Sequence, residues 1–181
     1  KTFPLMIPQP SSPESPLFQK SELLYGLHLA HSAIRHASYA ILVEGYMDVI
    51  AMHQFGFSEA VATLGTSLTE AHCKLLHRYT QKLILLFDGD EAGIKAAERS
   101  LALLLPAGFS VDALFLPDKE DPDSYLQRHG RDAFSALLQK EKRPAFDLWL
   151  HQLLQRANND PVQIRDATEK VLGVLREVSD P

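Results

Sequence analysis

Leu83-Ile84-Leu85-Leu86-Phe87-Asp88-Gly89-Asp90-Glu91-Ala92-Gly93 is the stretch on which the fold turns. Its five consecutive apolar residues suit a strand buried on both faces. Two acids split by a glycine end that run, and a helical stretch over 91–105 follows, closed by Pro106 and Gly108. Working outward, Tyr39–Val43, Ala60–Thr63 and Val111–Leu116 are three more short runs, mostly apolar or β-branched. Helical stretches near 46–55 and 69–79 separate them. Gly56 stands where a C′ glycine belongs, and Thr69 opens the next helix as a Thr-x-x-His cap. Continuously hydrophobic strands alternating with helices predict an α/β fold, a parallel sheet of about four strands with helices on both faces.

The flanks differ in character. Residues 1–16 carry five prolines among serines and read as an extended arm, because each proline fixes φ and removes a donor. From Ser21 to His36, Leu23, Leu24, Leu27, Ala30 and Ile34 recur at helical spacing, with Ser21 as the expected N-cap. Beyond the last strand, Pro122–Arg128, Asp132–Gln139, Pro144–Arg156 and Pro161–Val178 read as helices, each begun at or beside a proline or Asp. Trp149 and Phe146 are expected in the core of these terminal helices. The division that follows is an arm and leading helix at 1–37, an α/β domain at 38–128 and an incomplete helical subdomain at 129–181.

Composition narrows the functions open to such a chain. With 45% hydrophobic and 23% charged residues in 181, it is an ordinary globular sequence long enough to bury a core. The net charge of −5 argues against a whole-surface grip on nucleic acid, leaving room for a local basic face. A single cysteine, Cys73, excludes an internal disulfide and a Cys-rich zinc site, and is expected to be an inert packing residue. The eight histidines have no acid or thiolate spaced to complete a tetrahedron, so no zinc is expected. No apolar run approaches the roughly 18 residues of a membrane span, which predicts no membrane partner and a cytoplasmic protein. The chain starts at Lys1 rather than Met and is expected to be a piece of something longer.

Acid gathers where such a sheet binds ligands, beyond the carboxyl ends of its strands. Glu44 follows the first strand, Asp88 and Asp90 the third, and Asp121 and Asp123 lie just past the fourth; Asp48 is one helical turn beyond Glu44. Two carboxylates 4 Å apart repel by about 4 kcal/mol at an effective dielectric near 20. Six converging acids therefore need raised pKa values, basic partners or a hard divalent cation. All-oxygen ligands suit Mg²⁺, with Mn²⁺ as its substitute, and two such ions form a clamp for phosphoryl and nucleotidyl transfer. Acids at helix N-termini are also favoured by the helix dipole alone. Convergence from separate strands is what tips the balance toward metal.

Several strings here resemble the TOPRIM module of bacterial replicative primases of the DnaG type. They are Glu44-Gly45-Tyr46-Met47-Asp48-Val49, Ala62-Thr63-Leu64-Gly65-Thr66, the Phe87–Gly93 stretch, and Leu116-Pro117 with Glu120-Asp121-Pro122-Asp123. Upstream, Ser12–Lys20 and Leu24-Tyr25-Gly26-Leu27 are similar to that family's entry into the module. A Glu followed by Asp-x-Asp is common to all TOPRIM proteins, whereas the Glu-Gly-Tyr-Met-Asp string and the Ala-Thr-Leu-Gly-Thr turn are much more specific to primases. The resemblance implies a catalytic-core piece of a template-directed RNA polymerase that makes short RNA primers de novo on single-stranded DNA from ribonucleoside triphosphates. It implies Glu44, Asp88 and Asp90 as the catalytic metal-binding acids, Asp48, Asp121 and Asp123 as the rest of the pocket, and Lys20 as a contact to nucleotide or template. A replicative helicase and a zinc-binding domain would be met through parts this sequence lacks, so the piece alone is expected to be inactive or weak. The sequence departs from the family at residues 1–10, with Pro8 near a usual basic position. Rivals are another TOPRIM phosphodiester enzyme, a topoisomerase or nuclease, and a non-catalytic TOPRIM binding module. No tyrosine is marked as a topoisomerase nucleophile, and all six acids are present.

Overall fold

The computed structural model describes residues 19–87 and 91–178. The proline-rich arm and the Asp88-Gly89-Asp90 segment lie outside the described residues. A 3-10 turn at Lys20–Glu22 leads to helix α1 (Leu27–Ala37), and the α/β alternation begins at β1 (Ala40–Val43). It continues through α2 (Tyr46–Gln54), β2 (Ala60–Ala62), α3 (Glu70–Leu76), β3 (Lys82–Phe87), α4 (Glu91–Leu104) and β4 (Ser110–Phe115). After a 3-10 turn at Pro117–Lys119 come α5 (Pro122–Glu141), β5 (Arg143–Pro144), α6 (Ala145–Ala157) and α7 (Pro161–Glu177).

The sheet order is β2-β1-β3-β4-β5. The first four strands are parallel, as their unbroken apolar runs predict, and β5 pairs antiparallel with β4. Strand alternation divides the core into two layers. On one face Ala40, Leu42, Leu83, Leu85 and Val111 pack with α1, α3, α4 and α6, through Ile34, Leu76, Leu104 and Trp149. On the other, Ile41, Val43, Ile84, Leu86 and Leu114 pack with α2 and α5, through Met52 and Phe134. Helices on both faces are why β1, β2 and β3 are apolar almost throughout, whereas β4 opens with Ser110 and Asp112, neither of them buried.

Two details differ from expectation, and a third agrees with it. The apolar periodicity from Ser21 does not form one helix, because Gly26 sits at φ 79° and caps α1 from the left-handed region. Ahead of it, Tyr25 pairs with Ala62 in both directions (2.8 and 3.2 Å), so this stretch is extended and Ser21 lies inside the 3-10 turn. Leu24 is buried by that docking and not by helical phase. β5 has only two residues, too short for any periodicity to announce. Gly130 (φ 79°, ψ 177°) breaks α5 at the boundary between the two helices expected there. The caps hold as read: Gly56 and Gly108 adopt positive φ after α2 and α4, and Thr69 Oγ1 accepts the His72 N–H (3.2 Å).

Trp149 and Cys73 are buried in the α1/α3/α4/α6 layer, Trp149 with Phe146 edge-on to it at 5.8 Å. Burial, with Glu70 nearby, pushes the Cys73 thiol up to about 11. Against an ordinary value of 9.0, that leaves about a hundredfold less thiolate near pH 8. A disulfide reagent is expected to label the folded chain at least that much more slowly than the denatured one; equal rates would mean Cys73 is accessible. No helix among the described residues is long and apolar enough to cross a membrane.

Candidate metal-binding edge

Strand order, rather than any single side chain, defines the site. β2 lies on one side of β1 and β3 on the other, so the chain reverses its direction of travel across the sheet between β1 and β3. The helices change face at the same point, α2 covering one side and α3 and α4 the other. At such a switch point the loops leaving the two strands diverge and open a crevice beyond their carboxyl ends. Leu42 pairs with Leu85, which brings Glu44 level with Phe87, the last residue before Asp88.

Glu44 is exposed at that edge, immediately after the four buried residues of β1. Asp48 is buried at the third position of α2, where its Oδ2 accepts the Gly45 N–H at 3.0 Å. That bond caps α2 and holds the acid against the turn Glu44 occupies. β4 pairs with β3 as far as Phe87–Phe115, so the segment after β4 leaves from the same edge. Asp121 caps α5 there, its Oδ1 accepting the Ser124 N–H at 2.6 Å, and Asp123 stands in the first turn, half-buried. Asp121 keeps its second carboxylate oxygen beyond the capping bond available to a ligand. Asp88 and Asp90 lie outside the described residues, and among those described no group of three or more His, Cys, Asp or Glu stands ready to hold a metal. The donor set nonetheless fits a hard divalent cation, since Glu44, Asp48, Asp121 and Asp123 offer only carboxylate oxygen.

Glu120 plays a different part from its acidic neighbours. Its side chain is buried and paired with Arg128 and, at 3.5 Å, with His129 on α5. It thereby fastens the turn after β4 onto α5. At the amino end of the sheet, Tyr39 donates to the buried Glu59 (2.9 Å), and burial with that bond raises its phenol to about 12. No candidate site acid lies there, so this shift belongs to packing.

Lys20 sits half-buried in the first 3-10 turn. Its carbonyl accepts from Nε2–H of His72, a fully buried imidazole whose Nδ1 takes the Thr69 N–H at 3.2 Å. The Thr69 amide can only donate, so Nδ1 is the acceptor and the proton resides on Nε2. Sequence reasoning identified His72 as a capping residue and missed its second bond, which reaches a carbonyl 52 positions away. Burial lowers the His72 pKa, with the carbonyls of Lys20 and Leu23 pushing back. The unfolded chain thus binds this proton more readily, so the contribution to stability is complete above the ordinary value of 6.5 and is lost as pH falls below it. Thermal unfolding at about pH 7.5 and about pH 5.5 is expected to show a larger loss for the wild type than for His72→Gln. Equal losses would mean another group dominates this range.

A domain model described as Toprim-like matches residues 41–126, spanning β1 through the start of α5. The class is therefore a TOPRIM α/β domain with flanking helices. The DNA primase of Pseudomonas aeruginosa is 45% identical over 151 residues, covering 82% of this chain and 23% of that protein. The crystal structure of a DNA primase domain from the same organism superposes with a TM-score of 0.83 at 40% identity, over 92% of this chain and 53% of that one. A DnaG primase catalytic domain bound to single-stranded DNA superposes at 0.81 with 36% identity, over 92% and 55%. The chain belongs to the bacterial DNA primases of the DnaG type, a family whose chemistry implies divalent metal. It spans about a quarter of the length of its curated relative and about half of the solved catalytic domains.

Proposed function

We propose that this chain supplies the metal-handling half of a primase active site, in a template-directed RNA polymerase that makes short primers on single-stranded DNA. The observation that carries the proposal is the β1/β3 switch point, with Glu44 at the end of one strand and Asp88 and Asp90 directly after the other. The substrates are ribonucleoside triphosphates and the template is single-stranded DNA, the ligand of the solved relative.

Glu44, Asp88 and Asp90 would hold Mg²⁺, or Mn²⁺ in its place, with Asp48, Asp121 and Asp123 completing the acidic pocket. When bound, such ions neutralise triphosphate charge and make the 3′-hydroxyl more acidic. The chain's own groups position and orient. Asp48 holds the Gly45 turn and so fixes the backbone beside Glu44. Asp121 starts α5 at a defined place through its cap, which sets where Asp123 stands. Lys20 would bring a cation to a phosphate of the nucleotide or template. No protein nucleophile is required, because the primer hydroxyl attacks and pyrophosphate leaves. The site of action is the cytoplasmic replication fork, where a helicase and a zinc-binding domain would engage other parts of a primase.

A replacement chimera tests this. The Pseudomonas aeruginosa primase, with its corresponding stretch exchanged for this chain, is expected to make RNA primers on single-stranded DNA when given ribonucleotides and Mg²⁺. A chimera that melts cooperatively, binds the template and makes no RNA would contradict the proposal. DNA relaxation or cleavage in its place would favour a different phosphodiester activity.

A further inference from the structure

The 3-10 turn carrying Lys20 is tied down more firmly than a three-residue element on the way into a domain requires. Thr69 Oγ1 donates to the Ser21 carbonyl at 2.6 Å, and His72 Nε2 donates to the Lys20 carbonyl at 3.0 Å. Both side chains are also occupied on their other side, Thr69 Oγ1 by the His72 N–H and His72 Nδ1 by the Thr69 N–H. A few residues on, the paired Tyr25 and Ala62 stitch the same stretch to the end of β2. The entering chain is thus fastened to both ends of the β2–α3 connection. That connection contains the Leu64-Gly65-Thr66 turn and leaves β2, the neighbour of the strand that delivers Glu44.

A helix cap alone does not call for this. Thr-x-x-Glu would close the same reciprocal cap on α3 with an exposed carboxylate. Here the third residue is an imidazole with no solvent exposure, and its far nitrogen is spent on the main chain of Lys20. Lysine is a point charge on a flexible four-carbon stem, so its usefulness depends on where the base of that stem is held. We propose that His72 is the positioning residue for Lys20, fixing its backbone so that the ammonium meets a nucleotide phosphate at the metal edge. This rests on the proposed role of Lys20 as a phosphate contact. It adds that α3 and its cap, which carry no acid of the pocket, set nucleotide affinity through two partly buried hydrogen bonds.

A double-mutant cycle on this chain tests it, with a fluorescent ATP analogue and Mn²⁺ as the probe. Lys20→Ala is expected to weaken nucleotide binding about tenfold and His72→Leu about fivefold, with Mn²⁺ affinity in the absence of nucleotide unchanged in both. The double variant should bind no more weakly than Lys20→Ala alone, because without the lysine nothing remains to be positioned. His72→Gln, which keeps a donor toward the Lys20 carbonyl, should recover part of the loss. If His72→Leu does not melt cooperatively, Thr69→Val takes its place, removing the bond to Ser21. Wild-type affinity in His72→Leu, or losses that simply multiply in the double variant, would overturn the inference and leave the role of Lys20 standing. Absence of saturable nucleotide binding, or full affinity in Lys20→Ala, would overturn that role and the inference together.

Discussion

Replacing Phe134 by alanine is expected to lower the unfolding free energy by about 3–5 kcal/mol, the usual range for emptying a fully buried aromatic site. Phe134 has no solvent exposure and lies edge-on to Phe57 at 4.7 Å and to Tyr125 at 6.1 Å. These rings join α5 to the face covered by α2, and Gly130 separates Phe134 from the capped first turn. The gap left by the ring cannot be closed cheaply, because Phe57 and Tyr125 are themselves held in the close-packed layer under α2 and α5. For a chain of this size the loss corresponds to a fall in Tm of roughly 10 °C, read by circular dichroism. A loss below about 1 kcal/mol would mean that α5 is not packed through this ring. The loss should also reach the site: α5 begins at the Asp121 cap, so loosening it should weaken Mn²⁺ binding near the midpoint.

The second large effect is expected at Glu44. Glu44→Gln keeps the shape of the side chain and removes its charge from the switch-point crevice. In the replacement chimera, the rate of primer synthesis is expected to fall by about a thousandfold, the scale of losing one group that stabilises a developing charge. Stability should not fall with it. Glu44 is exposed, and in the proposed pocket the loss of one carboxylate charge relieves repulsion among the remaining acids. An unchanged or raised Tm beside a lost rate would separate a catalytic role from a structural one. Primer synthesis within about threefold of wild type would remove Glu44 from the metal set.

Much of the scaffold is legible in the amino-acid sequence, and the reason is physical. A strand buried on both faces must be apolar throughout, so Leu83–Phe87 and its three counterparts stand out, and caps such as Thr69 and Gly108 mark where the helices between them begin and end. Strand order is not written in any one segment. It emerges from which helix covers which face, and it is what sets Glu44 beside the exit of β3. The leading helix was expected too early because Leu23 and Leu24 share the helical phase of Leu27, while Gly26 and the Tyr25–Ala62 pairing impose an extended entry. β5 is held by β4 and by nothing in its own two residues. At the site, Asp48 and Asp121 are readable as acids near the edge, but their capping bonds place them more sharply than spacing does. His72 shows the limit of local reasoning: its first bond follows a cap pattern, and its second spans 52 residues.

In the function proposed above, acids from adjacent strands make one divalent-metal pocket. Calorimetric titration of this chain with Mn²⁺, beside its Asp90→Ala variant, tests it most directly. Saturable binding by the wild type is expected, and it should disappear in the variant while unfolding is unchanged or slightly stabilised. Equal Mn²⁺ affinity in the two, or no binding by a folded wild-type chain, would contradict it.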